Sequence, residues 1–95
     1  MLEKMKDEID LVRRHLEVAR AVADHQPIGI MKLSELLGEP SHRIRYSLHV
    51  LEQLGYIRAS PEGAVATTRT LELFTHLNED LDELERMLET MKRDE

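Results

Sequence analysis

The stretch best suited to chemistry in this 95-residue chain runs from Ser41 to Leu51 and holds no acidic residue. Spacing predicts a helix there, with Ile44, Leu48 and Leu51 turned inward. That leaves His42, Arg43, Arg45, Tyr46 and His49 outward. An arginine fork matches both a phosphate and the O6/N7 edge of guanine, which gives Arg43 and Arg45 a use in a major groove. Tyr46 can stack or meet a thymine methyl, and a Ser41 hydroxyl not used for capping can bind phosphate. Arg58, fourteen residues beyond Ile44, is spaced for a backbone phosphate or a neighbouring minor groove. The chemistry implied is recognition of double-stranded DNA. The plainer reading of the same residues is the solvated face of an ordinary helix.

Other chemistries find little footing. The five histidines (His15, His25, His42, His49 and His76) form no HExxH and no pair spaced by three or four, and there is no cysteine. No metal site is therefore expected. Gly-rich phosphate loops, nucleophile elbows and paired inward carboxylates are absent, so neither an enzyme nor a cofactor is expected. The methionines Met5, Met87 and Met91 fall at or beside apolar seams and read as packing.

A net charge of −6 argues at first against nucleic acid, but its distribution matters more than its sum. Residues 1–27 carry −1, residues 28–69 carry +1 and residues 70–95 carry −6. The acidity belongs to the C-terminal part. With 41% apolar residues, one Phe, two Tyr and no Trp, the core must be built from aliphatic side chains and alanine, which favours helices packed on helices. No signal-peptide pattern and no long apolar run is seen, so a soluble, cytoplasmic, non-membrane protein is expected.

The elements that would hold the basic stretch are legible from spacing and punctuation. Leu2, Met5, Ile9, Val12, Leu16, Ala19 and Ala23 recur at alternating intervals of three and four, the seam of a long helix over residues 2–24 that Pro27 and Gly29 end. Phe74, Leu77, Leu81, Leu84, Leu88 and Met91 repeat the pattern in a second long helix over residues 70–93. Between them, Ile28–Met31 is a brief extended lead-in, and residues 33–37 a short helix stopped by Gly38. Glu39-Pro40 turns the chain, and Ser41 is expected to cap the basic helix. That helix buries Leu54 as well and ends at Gly55. Residues 56–59 and 64–67 read as two strands joined by Ser60-Pro61-Glu62-Gly63, with proline pre-set for the turn and Gly63 at positive φ.

Helix, three-residue turn, helix and hairpin is the order of a winged helix-turn-helix, and residues 16–68 resemble that family. The resemblance is carried by Leu33-Ser34-Glu35-Leu36-Leu37-Gly38, by Ile44 and Leu48, by Leu51-Glu52-Gln53-Leu54-Gly55-Tyr56-Ile57 and by the Pro-Glu-Gly tip. The run from Leu51 to Ile57 is similar to the junction in multiple-antibiotic-resistance and arsenical-repressor type transcriptional regulators, and to small archaeal regulators with a long C-terminal helix. The resemblance implies a mostly α (α+β) fold in one domain spanning residues 1–95. Residues 1–24 form the N-terminal helix, 28–68 the helix-turn-helix and wing, and 69–95 the dimerisation helix. It implies a DNA-binding transcriptional regulator reading with helix 41–54 and wing 56–67, with a winged-helix protein-interaction module as the alternative.

The terminal helices carry a second expectation, a coiled-coil-like homodimer. A helix of 23 residues runs about 35 Å, longer than so small a domain can cover. Leu2, Met5, Ile9 and Val12 of the first helix, with Phe74, Leu77, Leu81, Leu84, Leu88 and Met91 of the last, are the expected interface. Lys6, Arg13 and Arg20 flank the first seam, and the flanks of the last are largely acidic. That contrast favours pairing first helix with last. Whether they pair within one chain or across a dimer, spacing alone leaves open.

Overall fold

A computed structural model describes residues 1–94. The chain is mostly helical, in the order α1 (Leu2–His25), α2 (Ile30–Leu37), α3 (Ser41–Gln53), β1 (Ile57–Ser60), β2 (Gly63–Ala66) and α4 (Thr68–Glu89). The strands form an antiparallel hairpin in which Ile57 faces Ala66, Arg58 faces Val65 and Ser60 faces Gly63. This α+β arrangement is compatible with a winged-helix-like fold. Its long dimension is 56 Å against 27 and 21 Å, because α1 and α4 reach past the body they share.

The core is aliphatic, as the composition requires. Val18, Ala19 and Val22 of α1 meet Leu33 of α2, Ile44 and Leu51 of α3, and Ile57 of β1. Leu33 and Ile44 are fully enclosed, and such burial is worth about 1.5–3 kcal/mol for each side chain. Phe74 of α4, half-buried, packs on this cluster. The α1 residues that fill the core differ from the expected seam: Val18, Ala21 and Val22 lie off it. A strict heptad describes a helix touching one partner. The C-terminal half of α1 is wrapped by α2, α3 and β2, so its buried face is wider and is made of small residues.

The hairpin is held from its flank. Ile28 bridges Ala64 in both directions, its N–H donating at 3.1 Å and its carbonyl accepting at 2.8 Å. The Gln26 side-chain oxygen accepts from the Ala66 N–H at 2.8 Å. The extended lead-in is thus one residue, Ile28. The following residues are already helical, because Gly29 is the N-cap of α2 and its carbonyl accepts from the Leu33 N–H. Gly38 ends α2 in the left-handed conformation, φ 66°, as expected.

Several boundaries correct the sequence reading. Pro40, not Ser41, is the N-cap of α3; its carbonyl accepts from the amides of Arg43 and Ile44, and no side chain caps the helix. Ser41 is the first helical residue. Leu54 is not buried: α3 ends at Gln53, and Leu54 follows as the C-cap, 51% exposed. The strands begin one residue later and earlier than expected, at Ile57 and Gly63. The last helix starts at Thr68 and stops at Glu89, four residues short of expectation. The residues of its final turn are all exposed. No described helix is long and apolar enough to cross a membrane.

Candidate nucleic-acid interface

Helix α3 is anchored by Ile44, Ser47 and Leu51, which are buried, with Leu48 half-buried. Everything else on it is placed by that stripe. His42, Arg45 and His49 recur every three or four residues and are all exposed. Arg45 and His49 line a cleft of about 460 Å³ between α3 and the hairpin, with Leu48, Glu52, Ala59 and Ser60 among the other walls. No described residue forms an ion pair with Arg45, so its donors are open to a ligand.

Arg43 is differently placed. Its guanidinium lies 3.6 Å from the Glu39 carboxylate, an ion pair too long for a hydrogen bond. The Asp10 carboxylate of α1 feels its charge only weakly. The Asp10 carboxyl is held below the ordinary carboxylate range, chiefly by the hydrogen bond from Arg13 and its charge, with smaller attractions from Arg14 and Arg43. The freedom from acid seen between Ser41 and Leu51 therefore does not extend through space to Arg43.

Tyr46 is half outward, 50% exposed, and its ring lies 5.9 Å from that of His15 on α1 at 44°. Ser41 is half-buried at the start of α3. Arg58 is exposed, but strand alternation places it on the hairpin face opposite Ile57 and Ala59. Of the residues singled out, Arg45 and His49 thus share one cleft and His42 continues their face. Arg43 and Tyr46 turn toward α1, and Arg58 stands apart.

Ser47 escaped notice in the sequence. It is fully buried, with His15 Nδ1 at 2.8 Å and Arg14 Nε at 3.4 Å from its hydroxyl. The signal was present: Ser47 lies three residues after Ile44 and four before Leu51, an inward position for a polar side chain. A buried hydroxyl there needs a partner from another element.

The expected interface residues of the long helices divide in two. Leu77 is buried within the chain and Phe74 is half-buried against its core. Leu2, Ile9 and Val12 of α1, Leu81, Leu84 and Leu88 of α4, and Met91 just beyond its end are exposed, Ile9 by 54% and Leu84 by 52%; Met5 is half-buried. The outer seams are not closed by pairing within one chain. Of the flanking bases, Arg13 binds Asp10 at 2.8 Å and Glu17 at 2.6 Å on its own helix. Arg20 lies over the Phe74 ring at 5.0 Å, joining α1 to α4.

No family model matches the chain, and no curated protein is significantly similar to it.

Proposed function

We propose that the chain is a winged helix-turn-helix transcriptional regulator that binds double-stranded DNA as a homodimer, with α3 in the major groove and the β1–β2 hairpin as its wing. The observation that carries this reading is the exposed His42–Arg45–His49 face, with its unpaired arginine, set beside the hairpin cleft. Arg45 supplies base-edge donors, His42 and His49 flank it, and Arg58 is left to a backbone phosphate. The acidic α4 is repelled by phosphate and lies away from the DNA. The open seams of α1 and α4 supply the dimer, and a two-fold dimer reads two half-sites.

A winged-helix protein-interaction module is the second reading. It is favoured by the net charge of −6 and by the ion pairing of Arg43 with Glu39. Selection of bound sequences from random DNA by the purified protein separates the two. An enriched palindrome supports the regulator, and a flat result supports the interaction module.

A further inference from the structure

Two side chains of α1 converge on one hydroxyl of α3. Ser47 is wholly enclosed, and His15 Nδ1 and Arg14 Nε lie 2.8 and 3.4 Å from its oxygen. A hydroxyl has one proton to donate and two lone pairs to accept with, whereas guanidinium only donates. With the imidazole neutral and its proton on Nε2, Ser47 donates to His15 Nδ1 and accepts from Arg14. Every polar group in the contact is then satisfied.

A second proton on His15 inverts this pattern. Nδ1 becomes a donor, two donors point at one serine oxygen, and the serine proton loses its acceptor. The Arg14 charge, next in sequence, opposes the new cation. No carboxylate is hydrogen-bonded to the imidazole among the described residues. Asp10, the acid that senses Arg14, is already engaged by Arg13. From α3, the groups facing His15 are Ser47 and the Tyr46 ring, with Arg43 one turn before Ser47. Strand β2 carries no titratable residue, and Lys32 and Glu35 of α2 line a cleft with His25, about three turns further along α1.

We propose that Ser47 is the joint through which α1 fixes the pose of α3, and that Arg14 and His15 are positioning residues whose hold loosens when the His15 imidazole is protonated. Burial, with a smaller contribution from Arg14, already pushes that imidazole toward its neutral form. Tyr46 is covalently next to the joint and rests on the same imidazole, so it moves with it. The open apolar half of α1, Leu2 to Val12, lies on the same continuous helix as Arg14 and His15. Whatever covers that half is therefore rigidly linked to α3. The functional consequence, weaker DNA binding in acid, rests on the reading of α3 as the DNA-contacting helix. The positioning role does not.

The test follows the Tyr46 ring and Ser47 amide resonances by NMR from about pH 8 to about pH 5, the range in which histidines titrate. Wild type, His15→Gln and Ser47→Ala are compared. Both resonances are expected to shift together with the ring resonances of His15 itself. They should stay still in His15→Gln, whose amide can accept the serine proton but cannot titrate. In Ser47→Ala the His15 midpoint should move and Tyr46 should respond less. The second arm measures DNA affinity, where wild type and His15→Gln share every side chain of the α3 face and differ only at residue 15. Equal affinities at high pH should give way at low pH to a deficit for wild type of roughly tenfold, within the usual range of coupling between two sites. Resonances that do not follow the His15 ring, or that still titrate in His15→Gln, overturn the positioning role. Absence of DNA binding at every pH, with the NMR result intact, overturns only the DNA reading.

Discussion

Gly63 lies against the backbone of Ile28 so closely that a Cβ on it would come within 2.6 Å of the Ile28 carbonyl carbon. The contact exists because Ile28 bridges Ala64, which lays a third segment of chain beside the hairpin. Gly63 also has φ 134°, outside the range L residues favour. Gly63→Val should lose stability on both counts, by at least the ~1–3 kcal/mol of a strained backbone. Urea unfolding measures it, and an unchanged midpoint would contradict the packing of Ile28 on the hairpin.

Leu33→Ala and Ile44→Ala should each destabilise by about 2–5 kcal/mol, since both side chains are fully enclosed and their loss leaves a cavity. Leu54→Ala, at the exposed C-cap, should cost much less. Thermal unfolding of the three variants gives the order directly.

Light scattering at micromolar concentration should give about twice the chain mass of 11.0 kDa. Because Leu81 and Leu84 are exposed in the single chain, replacing both with Asp should yield a folded monomer with its helix content kept. Leu77→Asp should instead unfold the protein, as it buries a charge inside the chain. A monodisperse wild-type monomer would end the dimer proposal.

Arg45→Ala should cost roughly 1–3 kcal/mol on the preferred DNA site and relax its specificity. Arg58→Ala should weaken binding evenly on all sequences and lower the salt slope by about one. Arg43→Ala should do less than either, because Arg43 already has the Glu39 carboxylate as an ion-pair partner. Titrations at two salt concentrations separate these outcomes. Undiminished binding by Arg45→Ala would remove α3 as the reading helix.

Stability should also fall with acid. The His15 pKa in the folded chain is depressed below the ordinary value of 6.5, so the unfolded chain binds the proton more readily. The stability present above pH 6.5 is lost as pH drops through the lower folded value. Urea midpoints for wild type and His15→Gln should diverge over that interval and run parallel above it.

What the sequence made legible was whatever repeats or punctuates. The long helices follow from unbroken three-and-four spacing, and the turn from Ser60-Pro61-Glu62-Gly63, where Gly63 does take positive φ. Gly38 stops α2 as its position implied. Contacts between distant residues were not legible. Nothing near Arg43 in the sequence announces Asp10, thirty-three positions away, and Ile28 could not be matched to Ala64 by pattern. The face of α3 was readable as a stripe. Its division between a hairpin side, with Arg45 and His49, and an α1 side, with Arg43 and Tyr46, depends on what flanks the helix.

Clamping by Ile28 leaves the hairpin little room to bend. Ile28 holds Ala64, Gln26 holds Ala66, and the Ser60 hydroxyl closes the turn on the Gly63 carbonyl at 2.6 Å. Only Pro61 and Glu62 lie beyond these ties, and proline has its φ fixed. The tip therefore behaves as a short stiff peg rather than a swinging arm. A surface that receives it loses little conformational entropy from this chain, and one of the wrong shape cannot be accommodated by flexing.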